Sequence, residues 1–225
     1  MSCWNSLISG YTLHGLHDEV VRCFGYMQDE GFLPDVITFS CILKACGNMR
    51  SLEKGKQIHI ISKGFLEKSI ELGNSLVGMY AKCGDLERAQ EVLNELPVRD
   101  ILSWSALIGG YTQQGKGHEA MICFDQMICK GLSPNAVTYA SILKACSQTR
   151  DIKKGKQIHD EIVKRGFLEK NLVLGSALVD MYAKCGMLAK AQEVFDELVV
   201  RDVVTWNALI SGYSQNKQGH EALEC

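Results

Sequence analysis

The sequence predicts an all-α protein, an α-solenoid built from helix-turn-helix repeats. Short strings recur at a spacing of about 100 residues: GKQIH stands at 55–59 and 155–159, and MYAKCG at 79–84 and 181–186. Between these strings, apolar residues recur at helical spacing. Asn-Gly and Asp-Gly hairpin turns are absent from the sequence, which disfavours a β fold.

The long period divides into three shorter units, each with two predicted helices. In the third unit, a helix over Ile70–Lys82 ends before Gly84, and Asp85 is the predicted N-cap of the next helix. One helical hairpin cannot bury its apolar stripe alone, whereas stacked hairpins can. We therefore expect a concave face lined by the first helix of each unit. The predicted units are 1–35, 36–69, 70–100, 101–135, 136–171, 172–202 and a partial seventh at 203–225.

Composition and charge narrow the class of protein. The 225 residues are 46% hydrophobic and 22% charged, which is globular, and no apolar run reaches the roughly 18–20 residues of a membrane span. A net charge of −2 argues against a generally basic nucleic-acid binder, yet it allows lysines concentrated in a groove. The chain begins inside a motif without a targeting peptide, so we expect a fragment or a missing targeting segment.

The ten cysteines do not form a zinc or disulfide pattern. No CxxC pair occurs. Cys46 and Cys146 lie in identical LKAC strings, and Cys83 and Cys185 in identical MYAKCG strings. A cysteine that recurs at one position per repeat is predicted to be a small buried residue in a reducing compartment, so no metal or other cofactor is expected.

Enzymatic motifs are incomplete. His159 and Glu161 match the H-x-E of zinc cytidine deaminases, but the P-C-x-x-C that such a site requires is missing. Because His59 recurs at the same repeat position, we predict a structural histidine at both sites. The P-loop, G-x-S-x-G and Rossmann glycine patterns are also absent, so we predict that the chain is not an enzyme.

The order of motifs resembles one known family. WNSLISGY, FSCILKAC and GNSLVGMYAKCGDLERAQEV follow one another in rotation, and the chain resembles the plant pentatricopeptide repeat family over essentially all of its length. It is most similar to the subclass that alternates P-type, long and short repeats. The resemblance implies a right-handed superhelix, a single-stranded RNA partner and location in a mitochondrion or chloroplast. It also implies a targeting arm without the C-terminal catalytic domain. The P-type repeats would be 1–35, 101–135 and the partial 203–225, the long repeats 36–69 and 136–171, and the short repeats 70–100 and 172–202.

The resemblance also implies that each repeat reads one base with two side chains, the fifth residue of its first helix and its last residue. The implied pairs are Asn5 with Asp35 for uridine, Asn74 with Asp100 for uridine, Ser105 with Asn135 for adenine and Ser176 with Asp202 for guanine. Asn207 implies a pyrimidine. The long repeats offer Ser40 with Ser69, and Ala140 with Asn171, and their bases stay open. The implied preference is 5′-U-N-U-A-N-G-(pyrimidine)-3′.

The residue types fit this task independently of the resemblance. Asn offers a donor and an acceptor, a Ser hydroxyl rotates to suit its partner, and Asp only accepts. The competing interpretation is that Asp and Asn at repeat boundaries are simply helix N-caps. Asp100 and Asp202 each precede an apolar helix start, and the two roles can coexist.

Further positions are candidates for RNA contacts. Apolar residues at the second position of the first helix would sandwich bases, with core packing as the alternative; they are Ile37, Leu102, Val137, Val173 and Val204. Ser2 and Glu71 depart from this pattern. Lys82 and Lys184 are candidate phosphate contacts, with a solvated lysine near a helix C-terminus as the alternative. For the recurring tryptophans, Trp4, Trp104 and Trp206, helix packing is the favoured interpretation.

One repeat is irregular. The first long repeat reads HIISKGF where the second reads HDEIVKRGF, a difference of two residues. Two residues turn a helical face by roughly 200°. We therefore expect the second helix of the first long repeat to be frayed, kinked or shortened near Ile60 to Gly64.

The predicted function is sequence-specific binding of single-stranded RNA for organelle RNA processing, with C-to-U editing as the favoured process. RNA-editing or processing factors are the implied protein partners. The alternative is a protein-interaction solenoid that holds a peptide or partner protein in the same groove.

Overall fold

The computed structural model describes residues 2–168 and 171–224, and within these ranges all regular structure is helical. The predicted all-α fold of helix-turn-helix repeats is confirmed. The first helices of the repeats are α1 (Ser2–Leu13), α3 (Val36–Asn48), α5 (Ile70–Cys83), α7 (Ile101–Gln113), α9 (Ala136–Thr149), α11 (Leu172–Lys184) and α13 (Val203–Gln215). The second helices are α2 (His17–Asp29), α4 (Leu52–Ser62), α6 (Leu86–Glu95), α8 (Gly117–Cys129), α10 (Ile152–Lys164), α12 (Leu188–Glu197) and α14 (Gly219–Glu224).

The chain forms two compact units, residues 1–110 and 111–225, and the boundary falls within α7. In the first unit, α3 packs against α1, α4 and α5, and α5 packs against α6. In the second unit, α9 packs against α8, α10 and α11, and α11 packs against α12 and α13. In each unit the odd-numbered helices therefore form a continuous row, as the stacking of amphipathic hairpins requires.

Equivalent residues of the two units are buried in the same way. Tyr80 of α5 and Tyr182 of α11 are fully buried, and so are the methionines that precede them, Met79 and Met181. The glycine of each GKQIH string accommodates its methionine, because a Cβ at Gly155 would overlap the Met181 sulfur. The same overlap occurs at the first GKQIH glycine with Met79. These glycines permit a close helix approach.

The two recurring histidines are structural, as predicted. Nδ1 of His59 lies 2.9 Å from the Tyr80 hydroxyl, and Nδ1 of His159 lies 2.9 Å from the Tyr182 hydroxyl. Both rings are buried and meet their tyrosines edge to face. Burial lowers the pKa of both imidazoles, because the charged form loses its hydration. The pair joins α4 to α5 in one unit and α10 to α11 in the other.

The recurring cysteines pack as small apolar residues. Cys46 and Cys146 are fully buried, as predicted, while Cys83 and Cys185 are half-buried. Burial raises the pKa of the Cys146 thiol to about 12, so this thiol is not a reactive thiolate at neutral pH. Among the described residues, no group of three or more His, Cys, Asp or Glu side chains is placed to hold a metal ion.

Trp104 and Trp206 take part in helix packing, as favoured from the sequence. Trp104 is almost fully buried, and no described residue accepts a hydrogen bond from its indole N–H. Trp206 meets Phe195 edge to face with ring centroids 4.5 Å apart. Trp4 is half-buried.

The two-residue irregularity shortens a helix, as predicted. Helix α4 ends at Ser62 after 11 residues, whereas α10 has 13 residues. A 3₁₀ helix, Lys63–Lys68, follows α4 directly. It places Phe65 against Phe39, with ring centroids 5.7 Å apart, just as Phe167 lies 5.9 Å from Tyr139 in the second unit. The 3₁₀ helix thus compensates for the two missing residues, because Phe65 makes the same kind of aromatic contact as Phe167.

No helix within residues 2–168 and 171–224 combines the length and apolar character needed to cross a membrane.

The buried histidines predict a pH-dependent stability. Their folded-state pKa values lie below the ordinary 6.5, so unfolding takes up protons as the pH falls below 6.5. The stability that the neutral rings contribute is present above pH 6.5 and is lost on acidification. We expect the Tm measured by circular dichroism to fall between pH 7 and pH 5, and to fall less in a His59→Asn, His159→Asn double variant. His14→Asn, at an exposed site, is the matched control; parallel curves for all three proteins would contradict the assignment.

Candidate nucleic-acid interface

The predicted pair Asn5 and Asp35 lies in direct contact. Asn5 Nδ2 donates to Asp35 Oδ2 at 2.7 Å. The other carboxylate oxygen, Oδ1, accepts from the Thr38 backbone N–H at 3.0 Å and caps α3. The Thr38 hydroxyl completes the cluster, because it lies 2.8 Å from Asn5 Oδ1. Although desolvation works in the opposite direction, the hydrogen bonds from Thr38 and Asn5 lower the pKa of Asp35.

The second pair, Asn74 and Asp100, repeats this division of the carboxylate. Asn74 Nδ2 donates to Asp100 Oδ2 at 2.9 Å. Asp100 Oδ1 accepts from the backbone N–H groups of Leu102 and Ser103 at 2.9 and 3.0 Å, at the start of α7. Here the third residue differs, because the Ser103 hydroxyl donates to the Asp100 backbone carbonyl instead.

Ser176 and Asp202 are connected through a threonine. Ser176 Oγ lies 2.8 Å from Thr205 Oγ1, and Thr205 donates to Asp202 Oδ1 from both its backbone N–H, at 2.8 Å, and its hydroxyl, at 2.6 Å. The hydrogen bond from the Thr205 hydroxyl, followed by that from its N–H, lowers the pKa of Asp202. The carboxylate is therefore ionised at neutral pH and presents only acceptors.

The members of the fourth pair belong to different compact units and are described separately. Ser105 is buried in the first unit. In the second unit, Asn135 caps α9, since its Oδ1 accepts from the Thr138 backbone N–H and hydroxyl, both at 2.9 Å. This cap uses the amide oxygen and leaves the nitrogen out of the cap.

Capping and base reading are therefore compatible at these boundaries. At Asp35 and Asp100, one carboxylate oxygen caps the next helix and the other faces the predicted partner. The sequence interpretation missed the hydroxyl residue that stands three positions after the last residue of four of the predicted repeats. Its signal is visible in four strings: DVIT at 35–38, DILS at 100–103, NAVT at 135–138 and DVVT at 202–205.

The corresponding positions of the two predicted long repeats are less alike. Ser40 is buried, and no described residue is hydrogen-bonded to its hydroxyl. Ser69 caps α5 by accepting from the Leu72 N–H at 3.2 Å. Asn171 stands at the N-cap of α11 without a side-chain cap, and Ala140 is half-buried.

Each unit has an open cavity along its row of first helices. The cavity of the first unit has a volume of about 580 Å³ and contains the Asn74–Asp100 pair. The cavity of the second unit, of about 550 Å³, contains Ser176, Asp202 and Asn207, of which Asn207 is exposed. The predicted residues that also line one or the other are Leu102, Lys82, Ala140, Val173, Val204 and Lys184.

The proposed base-sandwiching residues are all exposed. Their exposure ranges from 49% to 65%, which excludes core packing as the reason for their apolar character; they are Ile37, Leu102, Val137, Val173 and Val204. Exposed aliphatic side chains beside polar hydrogen-bonding groups form a surface that can stack a flat ring and contact its edge. The Ser2 side chain lies outside the described part of the chain.

Lysines lie at the rims of both cavities. Lys82 Nζ donates to Asn48 Oδ1 at 2.6 Å, and Lys184 forms an ion pair of 2.9 Å with Asp180. Glu71, which interrupts the apolar pattern, lies 3.4 Å from Lys44. Exposed pairs of this kind contribute little to stability, so these lysines can exchange partners at small cost.

In each unit, the helical hairpins and the polar pairs beside its cavity define a helical-repeat protein with a side-chain-lined groove. A family model for the PPR repeat family matches residues 1–48 and 99–148, and a PPR repeat model matches residues 74–101, 137–167, 176–203 and 204–225. The chain belongs to the pentatricopeptide repeat family, as expected.

Relatives agree with this assignment, and a solved structure has a similar fold. A chloroplastic pentatricopeptide repeat-containing protein of Arabidopsis thaliana is 38% identical over 222 residues, covering 98% of this chain and 36% of the relative. A mitochondrial one from the same plant is 42% identical over 214 residues, covering 95% and 21%. The crystal structure of the pentatricopeptide repeat protein PPR10 in complex with an 18-nt psaJ RNA element is similar with a TM-score of 0.78 and 21% identity, over 100% of this chain and 34% of that one. The chain thus spans about a third of the length of the curated relatives it matches.

The shared carboxylate predicts unequal effects of two substitutions. Asp100→Ala removes both the cap of α7 and the partner of Asn74, and is expected to cost about 1 kcal/mol of unfolding free energy. Asp100→Asn keeps a good capping oxygen, and the Asn74 amide can turn to accept from the new nitrogen. We expect near wild-type stability for Asp100→Asn in urea unfolding followed by circular dichroism. Equal destabilisation by both substitutions would show that the charge, rather than the cap, holds this boundary.

Proposed function

We propose that this chain binds single-stranded RNA in a sequence-specific manner, one base per repeat, with the preference 5′-U-N-U-A-N-G-(pyrimidine)-3′. One observation carries the proposal: the fifth residue and the last residue of a repeat share a hydrogen-bonded cluster that lines an open groove cavity, beside an exposed aliphatic side chain. Asn74, Asp100 and Leu102 form this arrangement in the first unit. Ser176, Asp202 and Val204 form it in the second.

The cap explains how the last residue can discriminate between bases. Its Oδ1 accepts hydrogen bonds from backbone N–H groups at the start of the next helix, and these bonds fix the side-chain rotamer. The second terminal atom of the side chain is then the one that can face a base. In Asp35, Asp100 and Asp202 that atom is a carboxylate oxygen, an acceptor, whereas in Asn135 it is an amide nitrogen, a donor. A base edge facing the last residue therefore meets opposite hydrogen-bonding character at Asp and Asn repeats.

The biological setting is proposed from the relatives. Matched proteins are named chloroplastic or mitochondrial, and PPR10 is solved with an RNA element. We place this chain in a plant organelle, within the subclass of alternating P-type, long and short repeats. The chain would act as the targeting arm for RNA processing, with C-to-U editing as the favoured reaction. Catalysis would be supplied by a separate domain or a protein partner.

A reciprocal exchange of fifth residues tests the code. Asn74→Thr should move the preference at the third nucleotide from uridine toward guanine, and Ser176→Asn should move that at the sixth from guanine toward uridine. The double variant should prefer 5′-U-N-G-A-N-U-(pyrimidine)-3′, a target of the same base composition. Fluorescence anisotropy with both RNAs, at a fixed low salt concentration, measures the exchange.

The exchange carries its own controls. Because the two RNAs have the same length and the same number of phosphates, unspecific electrostatic attraction affects both equally. Circular dichroism should show unchanged helicity, because asparagine and a small hydroxyl residue already occupy equivalent places on α5 and α11. Wild type that does not distinguish the target from scrambled RNA would refute the proposal, and an unchanged preference in the double variant would refute the assignment of the fifth residues.

A protein-interaction solenoid is the alternative function. The net charge of −2 and the exposed aliphatic residues beside the cavities suit a peptide as well as RNA. Wild type that shows no preference among RNAs at low salt, while it keeps its folded spectrum, would favour this alternative.

The rim lysines predict part of the salt dependence. Replacing both Lys82 and Lys184 with alanine should weaken binding to all RNAs similarly and reduce the slope of log K against log salt by up to about 0.7 per lost phosphate contact. Lys153→Ala, at an exposed site on α10 that lines neither cavity, is the matched control. The phosphate assignment fails if the double variant and this control have equal slopes.

A further inference from the structure

We infer that the hydroxyl residue three positions after the end of a repeat is a third determinant of base specificity. It acts as a positioning residue, because it holds the fifth residue against the last one. We further infer that Ser103 performs this role poorly, so that the first short repeat discriminates between bases less sharply than the first P-type repeat. This inference rests on the proposed function, since it concerns how the same RNA-reading side chains are held.

In the first P-type repeat, the fifth residue is fixed at both ends of its amide. Asn5 Nδ2 donates to Asp35, and the Thr38 hydroxyl lies 2.8 Å from Asn5 Oδ1. Thr38 itself is fully buried. Both hydrogen-bonding ends of the Asn5 amide therefore have partners before any RNA arrives.

The second short repeat uses the same device with a different fifth residue. Thr205 is buried, and its hydroxyl lies 2.8 Å from Ser176 Oγ and 2.6 Å from Asp202 Oδ1. The threonine hydroxyl thus lies between the fifth residue and the last residue and connects them.

The first short repeat lacks this connection. Ser103 is fully buried, but its hydroxyl donates to the Asp100 backbone carbonyl at 2.9 Å. Asn74 Oδ1 is buried as well, and no described residue donates a hydrogen bond to it. The Asn74 amide is held at its nitrogen only.

A buried acceptor without a donor is unfavourable. Asn74 can avoid this cost by turning its oxygen toward the open cavity that it lines, where water can donate to it. The same rotation breaks the hydrogen bond from Asn74 Nδ2 to Asp100. Only part of the population then has the arrangement that reads the base, and the discrimination between bases falls by that fraction. The threonines at this position, Thr38 and Thr205, place their hydroxyls against the fifth residue, and a branched Cβ restricts χ1 more than the unbranched Cβ of serine.

The decisive variants add the hydroxyl donor to one of the two proposed uridine-reading repeats and remove it from the other. Ser103→Thr supplies a hydroxyl to Asn74 Oδ1, and should raise the uridine-over-cytidine affinity ratio at the third nucleotide about fivefold, the equilibrium factor of one ordinary hydrogen bond. Thr38→Val removes the hydroxyl at nearly constant volume, and should lower the same ratio at the first nucleotide by about the same factor. In each variant the ratio at the other nucleotide should stay unchanged. Competition anisotropy with RNAs that differ by one base measures all four ratios.

Ser103→Ala is the matched control. It removes the serine hydroxyl but gives Asn74 Oδ1 no new donor, so the ratio at the third nucleotide should remain at the wild-type value. A ratio that changes as much in Ser103→Ala as in Ser103→Thr would overturn the inference. So would a Ser103→Thr protein that gains Tm but keeps the wild-type ratio, because the residue would then be merely structural.

The wild-type measurement separates this inference from the proposed function. If wild type does not prefer the target RNA over scrambled RNA, the proposed function fails and the inference fails with it. If wild type prefers the target and the ratio at the third nucleotide does not respond to Ser103→Thr, the third determinant alone is refuted.

Discussion

The carboxylate at a repeat boundary serves two neighbouring repeats, and the organisation of the groove depends on it. In Asp35 and Asp100, one oxygen satisfies orphan N–H groups at the start of the next helix. The other oxygen faces the fifth residue of the preceding helical hairpin. Few side chains can do both. Aspartate and asparagine are among the best N-caps. They differ only in the terminal side-chain atom that does not take part in the cap, which is an oxygen in aspartate and a nitrogen in asparagine. A boundary residue that both caps a helix and contacts the fifth residue is therefore usually Asp or Asn. Asp presents an acceptor to the groove, and Asn presents a donor.

Repetition turns this local constraint into an extended surface. Because the first helices pack in a row within each unit, equivalent positions recur along one face instead of converging on an enclosed pocket. The exposed aliphatic residues next to the polar clusters belong to the same repeat positions. The second helices supply the buried side chains that hold the row together, including the histidines bonded to Tyr80 and Tyr182.

Much of the fold and some of the site could be read from the residues. The recurring strings predict the helical hairpins, and the missing two residues before Gly64 predict the shortened α4. The pairs Asn5–Asp35 and Asn74–Asp100 follow from the family pattern and lie in contact. The threonine bridges could not be predicted in the same way, because Thr38 and Ser103 occupy equivalent positions and look interchangeable in a sequence. Their different hydrogen bonds become visible only when the side chains are in place: the Thr38 hydroxyl meets Asn5, and the Ser103 hydroxyl meets its own backbone.

The sequence by itself determined the repeat, the helices and the identity of the residues at each boundary, because these depend on periodicity and on local capping chemistry. Only the tertiary structure decided which atoms meet across two repeats. It shows that Asp100 divides its oxygens between a cap and Asn74, that Ile37 and its counterparts are exposed, and that Asn74 Oδ1 has no donor among the described residues. Those facts depend on contacts between residues some 30 positions apart in the chain, which exist only once neighbouring hairpins have packed.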